Sequence, residues 1–296
     1  MVERQIDILI VGGGLTGATL MLALHDLGYS TLLVEAKPLS NRVHVDFDAR
    51  SLALAPASVR ILQMLRIWPL LEAHATPIET IHVSERQCFG SARLQGNEKN
   101  ALGYVVEMQY INRALHHLLD EQRIIAPAQL TSLDGVNGLA TIRSGAETIN
   151  VQAQLIVAAD GTDSSVRHLC GLSTKDKAYD QTAIVTNIGL ARSHQHHAYE
   201  RFTSSGPLAL LPMTGSRASL VWALLPSEAE RLAASTESDF LKELQHAFGY
   251  RLGRFVKVGQ RVLYPLRQVT MPETVSGRVV YVGNAAHTLH PVAGQG

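Results

Sequence analysis

Gly12-Gly-Gly14-Leu-Thr-Gly17 follows the apolar run Ile6-Asp-Ile-Leu-Ile-Val11 and opens a segment of helical pattern. This is the setting in which G-x-G-x-x-G holds a pyrophosphate. Gly12 allows the tight turn, Gly14 lets phosphate approach the backbone, and Gly17 lets helix and strand pack closely. The helix N-terminus turns free N–H groups and a partial positive charge toward the phosphates. Glu35 lies 18 residues beyond Gly17, at the tip of the next strand, where it can accept hydrogen bonds from ribose hydroxyls. An acidic side chain there disfavours a 2′-phosphate, but it does not say which other dinucleotide binds.

Two more patterns carry chemistry. Asp160-Gly161-Thr-Asp-Ser164-Ser-Val-Arg167 reads D-G-x-x-S-x-x-R. Gly283-Asn284-Ala-Ala-His287 is followed by Pro291-Val-Ala-Gly294-Gln295-Gly296. Other chemistries find no support. His194, His196 and His197 lie close together, but no carboxylate or cysteine stands at ligand spacing, so they read as a polar loop and no metal site is expected. G-x-S-x-G is absent, no Ser-His-Asp arrangement stands out, and no catalytic acid or base is assigned.

The elements that position these motifs follow from hydrophobic period. The run 6–11, a helix from Leu15 to about Leu27 capped by Gly28, and Thr31–Glu35 form one β-α-β unit. A helix is predicted from Pro56 to about Leu71 and another from Ile111 to Gln122, with short strands at 80–84 and 103–107. Residues 129–152 alternate as a meander with turns at Asp134-Gly135 and Ser144-Gly145, and 154–159 is a buried strand ending in Asp160. After residue 178 the texture changes to strands at 183–190, 198–203, 208–213 and 219–225. One helix interrupts them, starting at the capping-box-like Thr236 and carrying Phe240, Leu244, Ala247 and Phe248 on one face. A last strand, 278–282, leads into the closing motif. The fold expected is α/β: a Rossmann-like nucleotide-binding domain, residues 1–178 plus 270–296, interrupted by a mostly antiparallel β-sheet domain, 179–269, with the strands of 79–110 contributing to the second domain's side.

Composition narrows the class. Lys plus Arg and Asp plus Glu are both 26, for zero formal net charge, which argues against a nucleic-acid binder. The chain is 46% hydrophobic, enough for a sizeable core. Two cysteines, Cys88 and Cys170, make neither a disulfide scaffold nor a zinc ribbon, and a reducing compartment fits. No apolar run approaches the roughly 20 residues that span a bilayer, and no signal-peptide layout precedes the first strand. A cytoplasmic protein is expected, with peripheral contact at the inner membrane left open.

In order and separation, the three motifs resemble those of the single-component FAD-dependent aromatic hydroxylases from end to end. Phe47-Asp-Ala-Arg50-Ser-Leu-Ala-Leu, Glu200-Arg-Phe-Thr, Gly206-Pro-Leu-Ala-Leu-Leu-Pro212, Ser219-Leu-Val-Trp222 and Ala247-Phe-Gly-Tyr-Arg-Leu-Gly253 are similar to the ubiquinone-biosynthesis hydroxylases, above all the bacterial branch acting on 2-octaprenyl-6-methoxyphenol. Asn284 replaces the wider superfamily's Asp, keeping an acceptor but losing charge.

The resemblance implies an FAD-binding domain of the aromatic hydroxylase type with an interrupting substrate domain. Gly12, Gly14 and Gly17 would hold the FAD pyrophosphate and Glu35 the adenosine ribose. Arg50 and Arg113 would reach the ribityl or phosphate region. Asp160 would serve FAD and transient NAD(P)H, Gly283 and Asn284 the ribityl chain, and Pro291 with Gly294, Gln295 and Gly296 would border the flavin ring. His287 and His290 would pack beside it. With one dinucleotide fold visible, NAD(P)H is expected as a transient co-substrate. The implied reaction is hydroxylation of a polyprenylated phenol with O₂ through a flavin hydroperoxide, beside other ubiquinone-biosynthesis proteins. A different flavin reaction, such as prenyl reduction, or a non-catalytic scaffold stays open. The stretches 208–212 and 220–224 are candidates for an apolar wall facing the flavin. In the family Gly294-Gln-Gly296 leads into a further helix. The resemblance therefore implies a C-terminally truncated piece that folds yet holds FAD weakly or not at all, for want of that helix terminus.

Overall fold

The computed structural model describes residues 2–39, 47, 50–96 and 101–290. β1 (Val2–Val11), α1 (Leu15–Leu24) and β2 (Thr31–Val34) form the opening unit. All four residues of β2 are buried, as in a parallel strand covered on both faces. A short 3₁₀ turn extends α1, and Gly28 closes it at φ 79°.

β3 (Ser51–Leu54), α2 (Pro56–Met64) and β4 (Ala75–Ile78) come next. α2 ends well short of the Leu71 that spacing predicts. Arg66 is left-handed at φ 58°, and Pro69 lacks the N–H a continuing helix needs. β5 (Thr80–Glu85) and β6 (Ser91–Gln95) make a hairpin, followed by β7 (Gly103–Glu107), α3 (Met108–Leu118) and β8 (Ile124–Ile125). α3 starts and stops about one turn earlier than expected. Leu119 is already extended, and Asp120 caps a separate single turn by accepting from the Gln122 N–H at 3.0 Å.

The meander is present as β9 (Gln129–Asp134), β10 (Leu139–Ser144) and β11 (Glu147–Ala158). The long β11 also pairs parallel with β1, from Val2 opposite Ile149 to Val11 opposite Ala158. α4 (Ser165–Leu169) is a single capped turn and a half.

β12 (Lys175–Leu190), β13 (His197–Phe202), β14 (Pro207–Met213) and β15 (Arg217–Leu224) follow, then α5 (Pro226–Ala234) and α6 (Glu237–Phe248). α5 was not expected; its signal was Pro226, well suited to a first helical position. α6 is capped by Thr236, whose Oγ1 accepts from the Asp239 N–H at 3.2 Å. β16 (Phe255–Val258), β17 (Val262–Thr270), β18 (Val275–Ser276), β19 (Val279–Tyr281) and β20 (His287–Thr288) complete the described chain.

Three sheets result. The first runs β18-β19-β11-β1-β2-β8, with β10 and β9 attached through β11. The second runs β20-β17-β12-β15-β14-β13-β5-β6, with β16 on β12. The third is the small β3-β7-β4. The chain thus leaves the first sheet after β11 and returns to it through β19, parallel to β11.

The second sheet is covered on one face by α5 and α6. Leu208, Leu210, Leu220, Trp222 and Leu224 meet Leu232, Phe240, Leu244 and Phe248 there. Each such side chain contributes about 1.5–3 kcal/mol by leaving water. The other face turns toward the third sheet, where Ala198 and Met213 pack with Ile78 and Val105. Period-2 alternation therefore divides the expected wall. The Leu208, Leu210, Leu220, Trp222 and Leu224 side chains belong to the helix-covered core. Leu211 packs with Ile78 and Val105, Val221 and Ala223 lie in the cluster with Tyr264, and Ala209 shares that face by register.

Candidate cofactor and active site

Gly12 sits at φ 105° with its N–H on the Val34 carbonyl. A Cβ there would lie 2.4 Å from the Ala159 oxygen, and one on Gly17 would lie 1.9 Å from the Gly12 oxygen. Both glycines are demanded by backbone touching backbone. Gly14 differs: its φ of −69° is ordinary and a Cβ would meet nothing within 4 Å. Its smallness keeps clear the space in front of the first turn of α1, which an anion approaching that helix end requires. Glu35 stands beside it, Oε2 accepting from the Gly13 N–H at 2.6 Å and Oε1 from the Lys37 N–H at 2.8 Å. That pose fixes the carboxylate while leaving lone pairs for hydroxyl donors.

Asp160 follows the end of β11. Its Oδ2 accepts from Ser165 Oγ at 2.9 Å and from the Val166 N–H at 3.1 Å, capping α4. Its Oδ1 is buried with no partner among the described residues. An orphaned buried acceptor is costly and calls for a donor. A cofactor hydroxyl would supply one.

Arg167, the last residue of the second motif, ties it to the third. Its Nη2 donates to the Thr162 carbonyl at 2.6 Å and its Nη1 to the Ala285 carbonyl at 2.9 Å. Gly283, at φ 58°, is pressed against α1, where a Cβ would lie 2.8 Å from Thr16 Oγ1. Asn284 is exposed beside it. The three motifs therefore meet beyond the carboxyl ends of the parallel strands β1, β11 and β19, where open α/β sheets bind ligands. The gap above Gly14 and the orphaned Asp160 oxygen fit a dinucleotide of the FAD type. Tyr281, at the end of β19, is pushed well above the ordinary phenol range, chiefly by burial.

Arg50 is exposed, with its guanidinium 5.5 Å from the Tyr264 ring of β17, and so joins the start of β3 to the second sheet. Arg113 is also exposed; the hollow it lines is formed with Leu70, Tyr110, Ala114 and His117, none of them from the glycine turn. Pro291, Gly294, Gln295 and Gly296 lie outside the described residues. His290 stands edge-on to Tyr179 at 4.9 Å, while His287 is exposed. His194 lies in the loop between β12 and β13, as expected, but not as an exposed polar residue. It is buried, with Nε2 within 2.8 Å of the Met213 carbonyl, and His196 Nδ1 lies 2.8 Å from Glu79 Oε1. No group of three or more potential metal ligands occurs among the described residues.

One functional group escaped the sequence reading. Glu200 of β13 lies opposite Ala209 of β14 and Val83 of β5. The same register row continues through Val221 and Val185 to Val262, and on the other side to Ala92. Glu200 is the one carboxylate in an otherwise apolar row crossing the sheet, on the face turned to the nucleotide-binding unit. Its Oε1 is buried and finds no partner among the described residues. Burial pushes its carboxyl up to about 7.

Fold and site together define an FAD-dependent monooxygenase of the aromatic hydroxylase kind. Residues 5–296 match the FAD binding domain family, and the chain belongs to that family, among its ubiquinone-biosynthesis hydroxylases. It is 37% identical over 306 residues to the ubiquinone hydroxylase UbiL of Rhodospirillum rubrum, covering 99% of this chain and 69% of that protein. It is 30% identical over 310 residues to the 3-demethoxyubiquinol 3-hydroxylase of Escherichia coli, covering all of this chain and 77% of that one. Among solved structures it is similar in fold to PqsL of Pseudomonas aeruginosa in complex with 2-aminobenzoylacetate (TM-score 0.80, 20% identity, 99% of this chain and 82% of that one). It is similar also to the p-nitrophenol 4-monooxygenase PnpA of Pseudomonas putida (TM-score 0.77, 17% identity, 99% and 76%).

Proposed function

We propose that this protein hydroxylates a polyprenylated, methoxylated phenol on the way to ubiquinone, with NAD(P)H as electron donor and O₂ as oxygen source. The observation that carries the reading is the apolar inner face of the second sheet, set against the unit in which the three nucleotide motifs meet. Similarity to the ubiquinone hydroxylase UbiL and to the 3-demethoxyubiquinol 3-hydroxylase supports the substrate class.

Bound FAD supplies the redox and oxygen-transfer chemistry. The chain's own groups bind and enclose. We assign Gly12, Gly14, Gly17 and the α1 N-terminus to the pyrophosphate, Glu35 to the adenosine ribose, Asp160 Oδ1 to a cofactor hydroxyl, and Gly283 with Asn284 to the ribityl chain. Arg50 and Arg113 are assigned to the ribityl or phosphate side, and Pro291, Gly294, Gln295 and Gly296 to the flavin ring. We divide the chain into a flavin unit, 1–178 with 270–296, and a substrate unit, 179–269, to whose sheet β5 and β6 add. Val185, Ala209, Leu211 and Val221 offer the ring and its tail a surface from which water is excluded, so that oxygen transfer outcompetes release of peroxide.

A polyprenyl substrate dissolves in lipid, and no helix among the described residues is long and apolar enough to cross a membrane. Phe89, wholly exposed at the tip of the β5–β6 hairpin between Arg86 and Arg93, supports peripheral contact with a lipid surface. The test is mass spectrometry of quinone precursors in cells lacking this protein. Accumulation of a prenylated methoxyphenol is expected; an unchanged quinone pool contradicts the reading.

A further inference from the structure

A lone glutamate in an apolar register row has three possible explanations: an ion pair, a backbone cap or a ligand. An ion pair is not what the neighbours offer. Arg201, next in the chain, points to the opposite face, where it donates to Ser84 Oγ at 3.1 Å and to the Ala247 carbonyl at 3.0 Å. His82, Arg93 and Tyr199 share that opposite face by register, and Arg251 reaches His82 there. Capping is not available either, because Glu200 lies inside a strand paired on both sides. The carboxylate is therefore held, without a protein partner for Oε1, in the layer where an aromatic ring would lie between sheet and flavin.

We propose that Glu200 is the residue that receives the proton of the substrate's phenolic hydroxyl, an inference that rests on the phenol-hydroxylase reading above. As a ring carbon forms its bond to the hydroxyl group delivered by the FAD, O₂ and NAD(P)H chemistry, the phenolic O–H bond breaks. Its proton passes to Glu200 Oε1 and its electron pair moves into the ring, leaving a dienone. The hydrogen on the newly substituted ring carbon then shifts to the carbonyl oxygen and restores the aromatic diol. The proton on Glu200 leaves with the water made from the second oxygen atom. A carboxyl whose ionisation burial has moved near neutrality suits a proton acceptor working at neutral pH.

Other charged or titratable groups bordering this layer are Glu85 on the same face of β5, the Glu107–Arg217 ion pair, Arg50 over Tyr264, and His290 beside Tyr179. None of them contributes to the raised ionisation of Glu200, which comes from burial alone.

The test uses the FAD-loaded protein with two readouts. In turnover of a geranylated 2-methoxyphenol, Glu200→Gln should lower kcat/KM about 100-fold, as loss of a general base does. The acidic limb near pH 7 in its pH profile should vanish, and Glu200→Asp should restore part of both. In binding without turnover, wild type should prefer 2-methoxyphenol to 1,2-dimethoxybenzene about ten-fold, the worth of one hydrogen bond to a charged group. Glu200→Leu should lose that preference while binding the diether at least as well. An unchanged limb and kcat/KM in Glu200→Gln, or an unchanged preference in Glu200→Leu, overturns the proposal. A wild type that turns over no prenylated phenol refutes the proposed function instead, and the binding preference still decides the role of Glu200.

Discussion

Gly17 and Gly14 belong to the same motif, yet the structure assigns them different jobs, and alanine at each separates the two. At Gly17 the new Cβ would lie 1.9 Å from the Gly12 oxygen, 3.1 Å from its carbonyl carbon and 3.2 Å from Ile10 Cγ2. Reaching even a tight 3.0 Å contact requires α1 to retreat by 3.0 − 1.9 = 1.1 Å from β1. The first two atoms are backbone and cannot rotate away. Overpacking of this kind costs about 1–3 kcal/mol, and immovable backbone puts it at the upper end. Helix propensity returns at most about 1 kcal/mol. A net loss of about 2 kcal/mol is expected, roughly a 30-fold fall in the folding equilibrium. Gly14→Ala meets no atom, so its cost is the poorer N-cap, about 0.5–1 kcal/mol. Its methyl instead occupies the approach to the helix N-terminus. Losing one or two charge-assisted bonds to phosphate, at about 1.5–3 kcal/mol each, weakens FAD at least ten-fold. Urea unfolding of the cofactor-free proteins measures the first effect, and quenching of flavin fluorescence on titration measures the second. A Gly17→Ala protein as stable as wild type, or a Gly14→Ala protein that binds FAD as wild type does, refutes the reasoning.

Other consequences follow from the same geometry. Arg167→Met should leave the Thr162 and Ala285 carbonyls without their donor, costing about 1–3 kcal/mol; thermal unfolding should begin earlier and FAD should bind more weakly, whereas an unaltered melting curve would contradict the tie. Because burial raises the Glu200 carboxyl from an ordinary 4.5 to about 7, the folded state holds the proton more tightly than the unfolded chain does. Glu200 therefore makes stability fall as pH rises between those two values and adds nothing further above them. Urea midpoints of Glu200→Gln minus wild type should grow across that window and then level off; a flat difference would refute the assignment. Phe89→Ser should reduce co-sedimentation with vesicles rich in phosphatidylglycerol without changing the melting temperature, and equal sedimentation would argue against hairpin contact.

Much of the site was legible in order along the chain because its signals are local. A buried-type run, three glycines and an acidic strand tip specify the first β-α-β unit; backbone proximity demands Gly12 and Gly17, while Gly14 keeps open the space before α1. The D-G-x-x-S-x-x-R pattern is likewise local, and in the structure its Asp160 and Ser164 cap α4. What stayed hidden depends on pairing between distant strands. Glu200 stood in a recognisable stretch, but its isolation emerges only when β13 is placed between Val83 and Ala209. The inner wall was half misread for the same reason: 208–212 and 220–224 are uniformly apolar, so sequence could not say which alternate residues face the helices. Arg167 reaches the Ala285 carbonyl across 118 residues, a link no spacing rule expresses. The early end of α2 had a signal in Pro69, overridden in the reading by the leucine spacing around it.

The central claim, that this protein places one atom of molecular oxygen on a prenylated phenol, is tested most directly with isotopically labelled O₂. The FAD-loaded protein, NAD(P)H and a geranylated 2-methoxyphenol are combined, and the products are analysed by mass spectrometry. A hydroxylated phenol carrying one labelled oxygen is predicted, with NAD(P)H oxidised faster when the phenol is present. Oxidation of NAD(P)H that yields only peroxide, or a product whose new oxygen comes from water, would contradict the account.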